Sequence, residues 1–334
     1  MMNEKVLALA QKHGAHGNFA ATHNGQLLFN TAAGYADREN EIPYNTETRT
    51  YVASVTKQFT AAAVMMLQEK GLLDIDDKLE KYVPEYRYAD RMTLRQMLNM
   101  TSGIPNELTV IGERLQKRRA EFDMTDADFE RMVSRAMAPE KCTPADFLEI
   151  VNVEPMSFEP GERFDYSDTN YMLLGDIVAR VTGIEYSEFM RRNIFEPLGM
   201  NSTVIGADNS EAPSYAEYGG SIYNMGYAHF TTGEGSICTN ARELCLWLNA
   251  VLKGRFISRE SWDECFRLVH DAYGFGWHKN GGWYLHGGGD LGYSSMVWIH
   301  PGKQVAIAGA MNVNAGRFYS ELLELVKREL NIDD

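Results

Sequence analysis

The two ends of this 334-residue chain read as strands and its middle reads as helices, so any sheet has to be assembled from both termini. Near the start, Asn18–His23 and Gln26–Ala32 flank Asn24-Gly25, a dipeptide that adopts positive φ readily and predicts a tight hairpin. Near the end, Gly274–His278, Trp283–His286, Tyr293–His300 and Gln304–Met311 read as strands separated by Asn280-Gly281-Gly282 and Pro301-Gly302. Helical patterns cover Glu4–His13, Val55–Lys70 with Gly71 as its stop, Asn240–Lys253 and Phe318–Leu330. From Asp74 to about Thr203 nearly everything is helix or loop. There, Thr143-Pro144 opens one helix, and Asp168-Thr169 opens another that runs to Val181 before Gly183. The expected fold is α/β (α+β): an antiparallel β-sheet flanked by helices, from residues 1–73 and 204–334, with an all-helical domain inserted over 74–203. A cleft between two such parts is where a ligand site belongs.

Length agrees with about two structural units at roughly 150 residues each. The chain carries 32 Lys+Arg against 46 Asp+Glu, a net charge of −14, which repels phosphate backbones and anionic lipid. No nucleic-acid or membrane partner is therefore expected. The longest nearly apolar run, Phe59 to Leu67, is less than half a bilayer span. With Glu4 and Lys5 ahead of only a short Val6–Ala10 stretch, no secretory segment is read, and a cytoplasmic location is expected. Cys142, Cys238, Cys245 and Cys265 form no C-x-x-C pair and read as reduced, packed thiols. His13 and His16 lack partners for a metal site.

Three places carry chemistry. In Ser54-Val55-Thr56-Lys57, positions i and i+3 of a helix start share a face, which sets the Lys57 amine beside the Ser54 hydroxyl. A serine is a weak nucleophile until a neighbour takes its proton, and a helix N-terminus favours a developing oxyanion. The plain alternative is Ser54 as a helix cap and Lys57 as a solvated residue. Second, Tyr166-Ser167-Asp168 offers a phenol that could shuttle a proton once a nearby cation lowers its pKa. Its plain alternative is a half-buried tyrosine and Asp168 as an N-cap. Third, His286-Gly287-Gly288-Gly289-Asp290 ends a strand with unobstructed amides. A Ser-His-Asp arrangement using His286 and Asp290 is disfavoured, because the chain has no G-x-S-x-G elbow.

In this order the motifs resemble the serine β-lactamase-related superfamily: class C β-lactamases, D-alanyl-D-alanine carboxypeptidases, D-aminopeptidases and related esterases. Tyr51–Leu73 is similar to the nucleophile helix of that family, and Met92–Leu98 with Thr101-Ser102-Gly103-Ile104-Pro105 to its TLRxLLxxTSGxP segment. Phe158–Gly183, Pro197–Met200, Gly233–Leu248, Tyr273–Trp277 and His286–Pro301 follow in register, so the likeness spans about residues 19–314, with Gly103–Glu154 the least familiar part.

The resemblance implies Ser54 as the acylated nucleophile and Lys57 with Tyr166 as the proton-transfer pair, leaving open which takes the proton. It implies an oxyanion hole at the amides of Ser54 and Gly289, after His286-x-Gly288, and a substrate-positioning His286. It implies no cofactor and no metal, and a small ester, amide or short peptide as substrate. Two departures matter. Asp168 stands where Asn is usual, which favours the ammonium form of Lys57, moves the base role toward Tyr166 and removes an amide donor. Gly287 removes a hydroxyl that commonly holds a substrate carboxylate. Both fit an esterase or D-amino-acid peptidase better than a true class C-like β-lactamase, and a non-catalytic ligand-binding module is the reading outside enzymes. The charge-laced segment 107–154, with Arg114, Lys117, Arg118, Arg119, Glu121, Asp123, Asp126 and Asp128, reads as a solvated surface or a lid.

Overall fold

Asn24 and Gly25 both take positive φ, 53° and 75°, and turn strand β1 (Gly17–His23) into β2 (Gln26–Ala33). This is seen in a computed structural model that describes residues 1–117, 119–121, 124–126, 128–129, 132, 143–206, 212–218, 220–227 and 232–332. Cys142, Arg118 and Asp123 lie outside the described residues. The C-terminal part adds β3 (His278–Asn280), β4 (Trp283–Asp290), β5 (Tyr293–His300) and β6 (Val305–Met311). The six-stranded antiparallel sheet runs β3-β4-β5-β6-β1-β2. Its two terminal blocks join at β6 and β1, where Gly17 faces Met311 and His23 faces Val305.

Period-two alternation gives the sheet two apolar faces. Phe19, Ala21, Phe29, Trp298 and Ile307 pack with helices α1 (Met2–His13) and α9 (Phe318–Leu330). Ala20, Val297, Ile299, Ala306 and Ala308 face the larger core. At the centre of that core lies α2 (Thr56–Glu69), in which every residue from Thr56 to Leu67 is buried. A helix buried all round is held by packing rather than by an amphipathic stripe. Phe59 of α2 stacks on Trp247 of α7 (Ala241–Leu252) at 4.1 Å between ring centroids. The middle of the chain contributes α3 (Leu94–Leu98), α4 (Glu107–Lys117), α5 (Pro144–Asn152) and α6 (Asp168–Thr182). The cap expected at Thr143 is present, its hydroxyl accepting from the Asp146 amide at 3.3 Å. Helix α8 (Arg259–Cys265) precedes the last strands. Among the described residues no helix is long and apolar enough to cross a membrane.

Three expectations need correction. Residues 274–277 are irregular rather than strand. A Cβ at Gly274 would lie 2.2 Å from the Cys265 carbonyl, and Gly276 at φ +81° presses on Gln58 of α2, so the segment packs onto helices and the strand begins at His278. The glycines after His286 do not end β4, which continues through them to Asp290. A hairpin, Ser214–Tyr218 with Ser221–Gly226, was not anticipated, although Gly220 at φ +79° marks its turn.

Candidate active site

Ser54 lies in a 3₁₀ turn, Ala53–Val55, that leads into α2, so it is not the helix cap of the plain alternative. The preceding Ala53 has φ +44°, in the left-handed region that alanine avoids. One turn on, Lys57 is wholly buried, and its Nζ donates to Ser54 Oγ at 3.0 Å, Asp168 Oδ1 at 2.5 Å and the Glu234 carbonyl at 2.7 Å. Three acceptors match the three hydrogens of an ammonium. The i, i+3 expectation therefore holds, and the solvated-lysine alternative does not.

Asp168 is the first residue of α6 and turns its carboxylate to Lys57 rather than capping the helix. Its other oxygen accepts from Asn106 Nδ2 at 3.3 Å. Tyr166 lies over the same ammonium, with Lys57 Nζ 5.0 Å from its ring centroid. Positions 54, 57, 166 and 168 thus meet in one place. The expectation that Lys57 lowers the Tyr166 pKa is reversed. Burial first, and then the negative Asp168, push the phenol well above its usual value, with the Ser54 hydroxyl opposing. Tyr166 rests as a phenol.

The glycine strand closes the other side. A Cβ at Gly288 would lie 2.1 Å from the Val52 carbonyl oxygen and 3.1 Å from the Ser54 amide nitrogen, so only glycine lets β4 lie against the turn that carries Ser54. Ser295 Oγ fastens the same Val52 carbonyl at 2.7 Å. Leu291 and Gly292, both at positive φ, turn β4 into β5, and Asp290 pairs with Tyr293 across that two-residue turn. Antiparallel alternation from this closing pair sends the Gly289 N–H away from β5, toward the cleft. That N–H lies one residue beyond the contact of Gly288 with the Ser54 amide.

His286 sits differently from the expectation. Its Nε2 is 2.8 Å from the Tyr273 hydroxyl and its Nδ1 is 2.6 Å from the Gly287 carbonyl, so Nδ1 carries the proton and Tyr273 donates to Nε2. The ring centroid is 6.4 Å from that of Tyr166, and Tyr273 completes a triangle with them, edge-on to Tyr166 at 6.1 Å and to His286 at 5.7 Å. Burial first, and then the Lys57 charge, push the imidazole down to about 3, so it is neutral. Both nitrogens being taken, His286 braces Tyr273.

Sequence reasoning missed Glu107, Glu234, Asn106 and Tyr273. Glu107 is buried at the start of α4, its amide donating to Thr169 Oγ1 at 3.0 Å while that hydroxyl donates to the Pro105 carbonyl at 2.7 Å. The hydroxyl has one hydrogen, so its further short bond with Glu107 Oε2 needs a proton on the carboxyl. Burial, reinforced by Asp168, accordingly raises Glu107 to about 8. The only sequence signal was position: Asn106-Glu107 directly follows the Thr101–Pro105 segment. Beside Tyr166 a cleft of about 290 Å³ is lined by Asn106, Glu113, Glu154, Asp165 and Ser167. A larger cavity of about 760 Å³, around Trp262, Phe266 and Tyr284, holds none of these groups. Among the described residues no group of three or more His, Cys, Asp or Glu is placed to hold a metal ion.

Comparisons with known proteins bear on family and fold. The family profile described as Beta-lactamase matches residues 3–330. Penicillin-binding protein 4* of Bacillus subtilis is 28% identical over 320 residues, covering 86% of this chain, which spans 66% of that relative. Among solved structures, a penicillin-binding protein from Bacillus halodurans superposes with TM-score 0.80 at 23% identity, covering 97% of this chain and 98% of its own. The D-amino acid amidase of Ochrobactrum anthropi SV3 gives 0.81 at 22%, covering 98% and 99%. At such identities the superpositions speak for the fold, a mixed one with an antiparallel sheet and flanking helices. A match across nearly every residue settles descent: this chain belongs to the beta-lactamase family.

Proposed function

We propose that the chain is a serine hydrolase that cleaves amide or ester bonds of small substrates through an acyl-enzyme on Ser54, of the esterase or D-amino-acid peptidase or carboxypeptidase type. The observation that carries this is the single point at which Lys57 Nζ meets Ser54 Oγ, Asp168 and the Glu234 carbonyl, with the Tyr166 phenol over it. The site lies between a sheet-bearing part, residues 1–73 and 204–334, and a helical part, 74–203. The substrate carbonyl sits between the Ser54 and Gly289 amides, with Gly288 keeping the strand close.

The protonated phenol sets the order of proton movements. As Lys57 passes a proton to Asp168, its Nζ accepts the Ser54 proton and Oγ adds to the carbonyl carbon. Tyr166 gives its proton to the departing amine or alcohol and regains one from Lys57, so that the Ser54 proton ends on the leaving group. Water then releases the acid by the reverse path. No partner beyond a small substrate is required, and no cofactor enters.

A fluorophosphonate is expected to label Ser54 by phosphonylation and a chromogenic short-chain ester to acylate it, each seen as an intact-mass adduct. Ser54→Ala should abolish it, and Lys57→Ala and Tyr166→Phe should each lower kcat by about two to four orders of magnitude. An adduct elsewhere, or an unimpaired Ser54→Ala, would sink the reading. Including nitrocefin in the substrate panel separates a true β-lactamase. Saturable binding of panel substrates without turnover of any marks a binding module.

A further inference from the structure

Asp290 is left over once the acyl-enzyme machinery is accounted for. It ends β4, and by the period-two alternation of a strand it shares a face with His286 and Gly288. At Gly288 that face meets the Ser54 amide. The Asp290 side chain thus looks onto the nucleophile turn from the far end of the strand. Its Oδ2 is sealed from solvent and has no hydrogen-bond partner among the described residues, while the residue as a whole is partly open. An unpaired buried carboxylate oxygen is costly, and persists where something absent completes it. Burial, and after it the negative Asp168, raise this carboxyl to about 7, so near neutral pH it is balanced between acid and anion.

Among the described residues no cation is hydrogen-bonded to Asp290 Oδ2. Lys57 spends its three hydrogens on other acceptors. The cleft beside Tyr166 is lined by Glu113, Glu154 and Asp165, of which Glu154 is paired with Arg114 at 2.6 Å, and by no Lys or Arg. A positive group has to come from the ligand.

Its place on the ligand follows from the strand. Tyr166 lies near the His286 end of β4, and Asp290 is four residues further on, about 13 Å along a strand. A leaving group that takes its proton from Tyr166 lies at the first end. The acyl part then runs along the glycines, and a substituent on the carbon next to the carbonyl held at Gly289 comes within reach of the next residue.

We propose that Asp290 is the specificity-determining residue of this site and receives a protonated amine on the α-carbon of the acyl part, so that the preferred substrates are α-amino-acyl amides and esters with a free ammonium. This rests on the acyl-enzyme reading above. The test compares alanine p-nitroanilide, in both D and L forms, with propionic acid p-nitroanilide, which differs by the ammonium alone. In the wild-type protein kcat/KM for the better alanine enantiomer is expected to exceed that for the propionyl substrate at least 100-fold, and Asp290→Asn should bring the ratio to within fivefold of one. A wild-type ratio of one or less, or a ratio that survives Asp290→Asn, overturns the assignment. Calorimetric titration of alaninamide and propionamide into Ser54→Ala reads the same preference without catalysis. Tighter binding of alaninamide, lost in Ser54→Ala/Asp290→Asn, supports the role of Asp290 even if nothing turns over, whereas equal or undetectable binding of both amides overturns it. Hydrolysis retained by Ser54→Ala would remove the acyl-enzyme reading instead.

Discussion

At the scale of single residues the site depends on one hydrogen atom. A methyl group at position 288 would sit 2.1 Å from the Val52 carbonyl oxygen, a backbone atom that Ser295 also fixes. The strand must move away to admit it, and with it the Gly289 amide. Gly288→Ala is expected to lower kcat by about two to three orders of magnitude, the range associated with losing an oxyanion donor. Circular dichroism should show the fold retained, and near-wild-type turnover would refute the close approach. Which of these contacts could be read beforehand depends on what makes them. Ser54 and Lys57 are one helical turn apart, so local spacing puts them together. The tie between Lys57 and Asp168 crosses 111 positions, and the resemblance supplied it. Glu107 was invisible as a functional group, and Asp290 was weighed only as the acid of a disfavoured triad, because their meaning comes from burial, and aspartate and glutamate are ordinarily surface residues.

At the scale of elements, α2 is both the centre of the core and the carrier of Lys57. Phe59, between Trp247 and Phe195, anchors it. Phe59→Ala is expected to lower stability by about 3–5 kcal/mol, the usual range for a large aromatic removed from a core. Urea unfolding would measure it, and a change below about 1 kcal/mol would show that α2 is held otherwise. Elements with strong local signals were legible from sequence: the Asn24-Gly25 hairpin, the Thr143 cap and the helix Phe318–Leu330. The exceptions have a common cause. Gly274 and Gly276 read as strand spacers, yet they are glycines because backbone approaches them, and no periodicity carries that information.

At the scale of the whole molecule, buried groups with displaced pKa values shape stability against pH. Glu107 and Asp290 titrate at about 8 and about 7 in the folded chain against 4.5 and 3.8 unfolded, so the folded state holds more protons across those intervals and loses stability as pH rises through them. His286 acts in the opposite direction on the acid side. It titrates at about 3 when folded and 6.5 when free, so below 6.5 the unfolded chain takes up the proton and stability falls as pH drops. Each group contributes at most about 1.4 kcal/mol per pH unit. Of these three groups the two acids outweigh the histidine above about pH 4.5; Glu234, also raised by burial, adds to the acids, and His16 and His278, lowered by burial, add to the histidine only below 6.5. The urea midpoint is therefore expected to be higher at pH 5 than at pH 8, with Glu107→Gln flattening the decline. A midpoint that climbs from pH 5 to 8 would contradict the neutral state assigned to Glu107.

The pairing of β1 with β6 sets residues 17–23 against 305–311, the two ends of the chain hydrogen-bonded side by side. During translation the first hairpin and α2 leave the ribosome long before β4, β5 and β6 exist. A nascent chain therefore carries Ser54 and Lys57 without the Gly289 amide, and the candidate site is assembled only once residues 278–311 have been added. Contacts this distant in sequence also close slowly.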